Sequence, residues 1–222
     1  MKKLMISMMM VVFMLMSDGM VSANNADARK SDKPHFRGAY WGTSIEEVKK
    51  ALKEKDEIVW ESGTQIGLIN PNLSYDITYF FIDNKLTNGM FMYNKSHVNA
   101  NFYLDEYYKM QSILIEKYGA PELNENIWNN DLYKDDVQHY GLAISVGHLS
   151  CLSNWVIHED NPIIEKSDKQ AQKGDLGPPA LTNIILRIHG DNFEEKLVLI
   201  YNSTEYYHLF EENEKKKNER NF

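Results

Sequence analysis

The chain has a single cysteine, Cys151, and therefore cannot form a disulfide bond within itself. No cysteine lies just beyond the N-terminal apolar run, which argues against a lipid anchor. The glycine patterns of phosphate loops and dinucleotide-binding folds are missing as well. Basic residues number 24 against 32 acidic ones, which gives a net charge of −8. Because binding to phosphate backbones depends on clustered lysine and arginine, we do not expect nucleic acid as a partner.

The longest apolar run lies at the N-terminus and is too short to span a bilayer. It covers residues 4–16, broken by one serine, whereas a membrane-spanning helix needs about 20 residues. Lys2 and Lys3 precede it, and the small residues 21–23 follow it. This order is typical of a cleavable signal peptide. We therefore expect removal of residues 1–23, export to the periplasm or the extracellular medium, and no stable membrane span afterwards; the alternative is an uncleaved anchor.

The rest of the chain has the composition of one folded domain. Hydrophobic residues make up 43% and aromatic residues 12% of the sequence, which is ordinary for a packed core. Residues 24–35 are polar and without periodicity, and they predict a flexible leader. We expect a single domain over residues 36–210 and a charged C-terminal tail over residues 211–222.

Two helices have clear sequence signals. Ser44 followed three residues later by Glu47 is the pattern of a capping box, which predicts a helix over about Ile45–Lys53. Over Phe102–Tyr118 apolar residues recur at helical spacing. Gly119, with a proline two positions later, is the expected end of this second helix.

The strands are indicated by β-favouring runs between turn residues. Asp83-Asn84-Lys85 predicts a tight antiparallel hairpin. Aromatic residues at Tyr79-Phe80-Phe81 predict a strand that is covered on both sides. The predicted strands are Glu57–Glu61, Gln65–Ile69, Tyr75–Ile82, Leu86–Tyr93, His139–Gly147, Ser150–His158, Leu181–His189 and Lys196–Tyr201, with a surface loop at Glu159–Pro179 and a terminal helix at Thr204–Lys217. The expected fold class is α+β, an antiparallel sheet with helices packed on one face.

Two stretches of the sequence resemble each other. Ile82-Asp83-Asn84 leads to Met92-Tyr93-Asn94, as Gly190-Asp191-Asn192 leads to Ile200-Tyr201-Asn202. This similarity predicts two tandem units, each a helix followed by strands, with an internal repeat over residues 44–94 and 102–202. The alternative is chance, since asparagine-rich turns recur for local steric reasons.

Two short segments carry a resemblance to known families. Trp41-Gly42-Thr43-Ser44-Ile45-Glu46-Glu47-Val48 and Lys117-Tyr118-Gly119-Ala120-Pro121 resemble segments of uncharacterised exported bacterial proteins. They are also similar to the helix start and helix exit of the small lipoprotein of outer-membrane β-barrel assembly and of β-lactamase-inhibitor-protein-like domains. Those families bind other proteins without chemistry of their own, so the resemblance implies an interaction module. The missing anchor cysteine and the long loop are departures from the pattern.

The sequence offers one candidate metal site and no catalytic motif. Asp131, Asp135 and His139 are spaced four apart and would share one face of a helix. An Asn/Asp-rich connection of this kind is more often a solvated turn. Ser150 and Cys151 follow His148 without a nucleophile elbow, and Cys151 is expected to be a small buried strand residue.

Trp60, Trp128 and Trp155 are the candidate binding residues. Tryptophans on strands usually pack in a core, but several exposed together would mark a partner or ligand face. We expect an exported binding or interaction module without a cofactor, whose partner is another protein or an envelope component. The alternative is a metal-assisted hydrolase or another enzyme whose site is not visible in the sequence; the oligomeric state cannot be read from it.

Overall fold

The structure is a computed structural model that describes residues 35–53, 59–69, 73–158 and 180–220. Three predicted segments lie outside these ranges: the signal peptide, the leader except for its last residue, and the loop Glu159–Pro179. Among the residues that are described, no helix is both long enough and apolar enough to cross a membrane.

The described residues form one eight-stranded sheet and four α-helices in two successive units. The first unit contains α1 (Ile45–Lys53), β1 (Trp60–Ser62), β2 (Gln65–Leu68), β3 (Tyr75–Ile82) and β4 (Lys85–Tyr93). The second contains α2 (Asn101–Tyr118), β5 (Leu123–Trp128), α3 (Tyr140–Ser145), β6 (Leu149–His158), β7 (Ala180–Asp191) and β8 (Glu194–Ser203), and α4 (Tyr207–Arg220) follows. The predicted α+β class is confirmed.

The two units join through their last strands. The strand order is β1-β2-β3-β4-β8-β7-β6-β5, and every pair of neighbours is antiparallel. Strands β4 and β8 pair at the centre, with Met90 opposite Ile200. Each unit is therefore a helix followed by a four-stranded meander, while the sequence repeat over residues 44–94 and 102–202 stays a prediction.

The local signals at the helix ends and the first hairpin are confirmed. The Ser44 backbone N–H donates to the Glu47 carboxylate at 3.0 Å, and the Glu47 backbone N–H donates to the Ser44 hydroxyl at 3.4 Å, which is the reciprocal pair of a capping box. Asp83 and Asn84 form the β3–β4 turn with φ of 49° and 59°, the left-handed geometry that a two-residue hairpin turn needs. Gly119 ends α2 with φ of 83°.

One face of the sheet, the covered face, packs against α2 and α3. The strands alternate between buried and half-exposed residues, as in β3. Tyr107 on α2 shares a 2.7 Å hydrogen bond with Ser153 on β6, and Leu114 on α2 is 1% exposed. The segment before α1 also reaches the second unit, because the Trp41 indole donates to the Thr182 hydroxyl at 2.8 Å. The two units thus share one core.

Two element predictions in the second unit are corrected by the structure. The predicted strand His139–Gly147 is mostly helix α3, in which Ala143 and Ile144 are buried. Strand β5 was not predicted. A short apolar run does not distinguish a strand from a buried helix, and β5 is a mostly exposed edge strand that has no clear alternation of polar and apolar residues.

Strand β3 and the C-terminus also differ from expectation. Phe80 is half-exposed, whereas its neighbours Tyr79 and Phe81 are buried. On the face that carries Tyr79 and Phe81, Phe36 packs edge-on against Tyr79, whereas Phe80 on the other face keeps part of its solvent contact. Helix α4 continues through position 211, so the predicted tail at residues 211–222 begins inside a helix.

Candidate functional site

The three candidate tryptophans lie in different environments. Trp155 is 2% exposed in the core, and its indole N–H donates to the Gly119 carbonyl at 2.9 Å. Trp128 is half-buried and packs edge-on against Tyr140. Trp60 is 38% exposed, and its ring lies over Gly67, where a β-carbon would meet the indole at 1.9 Å. The structure does not bring the three onto one surface.

The candidate metal ligands are not brought together either. The segment forms two short 3-10 helices, Asp131–Tyr133 and Val137–His139, so the helical spacing on which the prediction depended does not arise. Asp131 forms an ion pair with Lys134, and His139 contacts Asp136. Within the described part of the chain, no group of three or more His, Cys, Asp or Glu residues could hold a metal ion.

Cys151 is a buried strand residue, as the sequence predicts. Cys151 is 1% exposed on the covered face, and burial raises the pKa of its thiol to about 12. At neutral pH the thiol is therefore protonated and a poor nucleophile. Burial also raises the pKa of Tyr107 to about 12, although its hydrogen bond with Ser153 opposes that shift.

The opposite face of the sheet, the open face, is a more extensive surface. Side chains alternate along a strand, and directly paired residues point to the same side. The strand register therefore arranges the half-exposed residues in three rows that cross the sheet. Eight strands at about 4.8 Å spacing make the sheet about 34 Å wide. Rows two residues apart are about 7 Å from each other, so the three rows cover on the order of 500 Å².

The middle row is largely apolar. Across the sheet it consists of Trp60, Gly67, Thr78, Met90, Ile200, Ile185, Asn154 and Leu123. Met90, Ile200 and Ile185 lie at its centre and are half-exposed. Trp60 lies at one end of this row, since Ile66 and Leu68 on either side of Gly67 point into the core. The open face thus includes one of the three predicted binding tryptophans.

The amide row lies on one side of the middle row. It consists of Phe80, Asn88, Asn202, Asn183 and Val156. The Asn88 amide donates to the Asn202 oxygen at 2.5 Å. Within the described residues, the amide oxygens of Asn183 and of Asn154 in the middle row are shielded and accept no hydrogen bond. Buried polar atoms without a partner are uncommon in proteins.

The charged row lies on the other side. It consists of Asp76, Met92, Val198, Arg187, Leu152 and Glu125. Arg187 is exposed and lies between the apolar side chains of Val198 and Leu152. Burial, together with the charges of Arg187 and Lys196, lowers the pKa of His189. Arg187, His189 and Lys196 thus lie together on neighbouring positions of β7 and β8.

No family model, curated protein or solved structure matches the chain. The fold is that of an α+β protein with one antiparallel sheet, covered on one face by helices.

Proposed function

We propose that the protein is an exported binding module that holds another protein, or a component of the cell envelope, on the open face of its sheet. The observation that carries this proposal is the middle row, where Met90, Ile200 and Ile185 are half-exposed side by side on three adjacent strands. Contiguous apolar side chains on a protein surface often mark a binding site.

The side chains of the open face suit protein recognition. Methionine is flexible and polarizable, so Met90 and Met92 can adapt to a partner surface. The core of an interface is typically apolar with a few polar groups that fix orientation. The asparagine side chains of the amide row, next to the middle row, would supply such groups. The resemblance of the two short segments to families that act by binding proteins implies the same class of function.

Site-specific photo-crosslinking in producing cells tests this proposal. A benzophenone amino acid at Ile185 or Met92 on the open face should give an adduct of one defined mass. The same group at Glu116, on the exposed side of α2, should give none. Ile200→Lys, which places a charge in the middle row, should remove the adduct formed from Ile185.

Folding must be monitored in the same experiment. The Ile200→Lys chain should keep the circular dichroism spectrum of the unsubstituted protein, since the side chain is half-exposed. Adducts of equal yield from Ile185 and from Glu116, or adducts that survive Ile200→Lys, would contradict binding on the open face.

Export is tested separately by intact-mass measurement of the protein recovered outside the cytoplasm. The signal-peptide pattern predicts a chain that begins near Asn24. A recovered chain that retains residues 1–23 would contradict export by cleavage.

A further inference from the structure

Arg187 is a cation in an apolar part of the open face. Its side chain is exposed, and its direct cross-strand neighbours are Val198 and Leu152. Within the described residues it forms no salt bridge. The carboxylates of its own row are Glu125, two strands away, and Asp76, three strands away. At about 4.8 Å per strand, their backbones lie roughly 10 and 14 Å from that of Arg187.

The surroundings of Arg187 do not neutralise it. Lys196 and His189 are cross-strand partners next to it, and burial together with the charges of Arg187 and Lys196 lowers the pKa of His189. Asp191 and Glu194 lie at the end of the same hairpin, beyond His189 and Lys196. Asp76, at the far end of the row, accepts a hydrogen bond from the Asn94 amide at 2.7 Å.

A partner that covers this face removes water from the guanidinium group. Burying a charge without a counter-charge is costly, and the cost is met when the partner brings an anion. A guanidinium group fits a carboxylate with two parallel hydrogen bonds. Arginine is also enriched among the residues that dominate binding energy at the centres of interfaces.

We propose that Arg187 is the anchor for a carboxylate of the bound partner, a protein segment that carries one Asp or Glu among apolar side chains. The apolar side chains lie on the middle row and the carboxylate meets Arg187. This inference rests on the proposed function, because it names the chemistry of the partner for the same face.

A second copy of the chain is disfavoured as the occupant. The net charge of −8 makes two copies repel each other. The Arg187 anchor therefore points to a different protein that offers a local carboxylate.

The test is photo-crosslinking from Leu152, the neighbour of Arg187, followed by mass-spectrometric sequencing of the crosslinked segment. We expect a protein segment with an Asp or Glu next to apolar residues. Arg187→Glu and Arg187→Gln should lower the adduct yield at least about tenfold, as for a central interface arginine, and Arg187→Lys should lower it less. Lys50→Glu, the same charge reversal on exposed α1, is the matched control and should leave the yield unchanged.

A charge swap completes the experiment. Changing the carboxylate of the captured segment to lysine should restore the adduct with the Arg187→Glu chain. An unchanged yield in Arg187→Glu, a segment without a carboxylate, or an adduct to lipid or to a second copy would overturn the inference. If Ile200→Lys removes the adduct while Arg187→Glu does not, the proposed function stands and the anchor is refuted. If neither removes it, both are refuted.

Discussion

The two faces of the sheet are built from alternate residues of the same strands, yet they differ in chemistry. The covered face carries Ile184, Leu186 and Ile188 on β7, all at most 1% exposed. The open face carries Asn183, Ile185 and Arg187 on the same strand, half-exposed or exposed.

The difference between the faces separates stability from recognition. Helices α2 and α3 exclude water from the covered face, so its side chains contribute the full free energy of apolar burial. Side chains on the open face keep part of their solvent contact and contribute less. A substitution on the open face should therefore change binding more than folding.

The largest effect is expected for the two tryptophans on opposite faces. Trp155→Ala should cost about 3–5 kcal/mol of unfolding free energy, because it empties a buried site and removes the hydrogen bond to the Gly119 carbonyl. Trp60→Ala should cost about 1 kcal/mol or less, since the indole is 38% exposed. Urea titration of both variants measures the difference in unfolding free energy. Equal losses would show that the open face contributes to stability as much as the covered face.

Helix α2 offers the same comparison at adjacent positions. Leu114→Ala should cost about 2–5 kcal/mol through lost burial and a residual cavity, because Leu114 is 1% exposed. Ile115→Ala, at a side chain that is 42% exposed, should cost less than about 1 kcal/mol. The urea midpoints give both values. A Leu114→Ala midpoint close to that of the unsubstituted protein would mean that this stripe of α2 binds a partner instead of the sheet.

Alkaline titration tests whether water is excluded from the covered face. The folded-state pKa of Tyr107 is about 12 because of burial, above the value of about 10 in an unfolded chain. Its contribution to stability is therefore present below about pH 10 and is lost as the pH rises toward 12. Tyr107→Phe removes this contribution and should make the fall in unfolding free energy between pH 10 and 11.5 shallower. An unchanged slope would indicate that water reaches the Tyr107 hydroxyl.

A thiol-labelling experiment compares the accessibility of the two faces and should involve the smallest change in stability. Cys151 should not react with an aromatic disulfide reagent at pH 8, since it is buried and its pKa is about 12. Met92→Cys in a Cys151→Ser chain should react readily, because position 92 is 38% exposed on the open face. Absorbance of the released thiolate follows both reactions. Rapid labelling of native Cys151 would refute a closed core.

Much of the fold could be predicted because its signals are local. The Ser44 capping box, the Asp83-Asn84 turn and the Gly119 helix end each depend on a few neighbouring residues. Strand β5 could not be predicted, since an exposed edge strand has little alternation of polar and apolar residues. Helix α3 was missed because burial of a short apolar run looks the same in a strand and in a helix.

The open face could not be predicted because its rows depend on distant pairings. Alternation places Asn183 and Asn202 on one face of their own strands, but nothing in the sequence says that β8 lies between β4 and β7. Without that order, Arg187 cannot be placed between Val198 and Leu152. The candidate sites were predicted from residue types, which carry no information about strand order. These were the three tryptophans and the set Asp131, Asp135 and His139.

The position of β8 has a consequence for how the chain folds. It is the last strand of the described residues, yet it fills the centre of the sheet, where Asn88 and Asn202 bond across 114 positions of sequence. Proteins are synthesised from the N-terminus, so this edge of β4 stays unpaired until Glu194–Ser203 has been made. An open edge is a template for pairing with other chains. We therefore expect aggregation to compete with folding most strongly at the moment before β8 inserts.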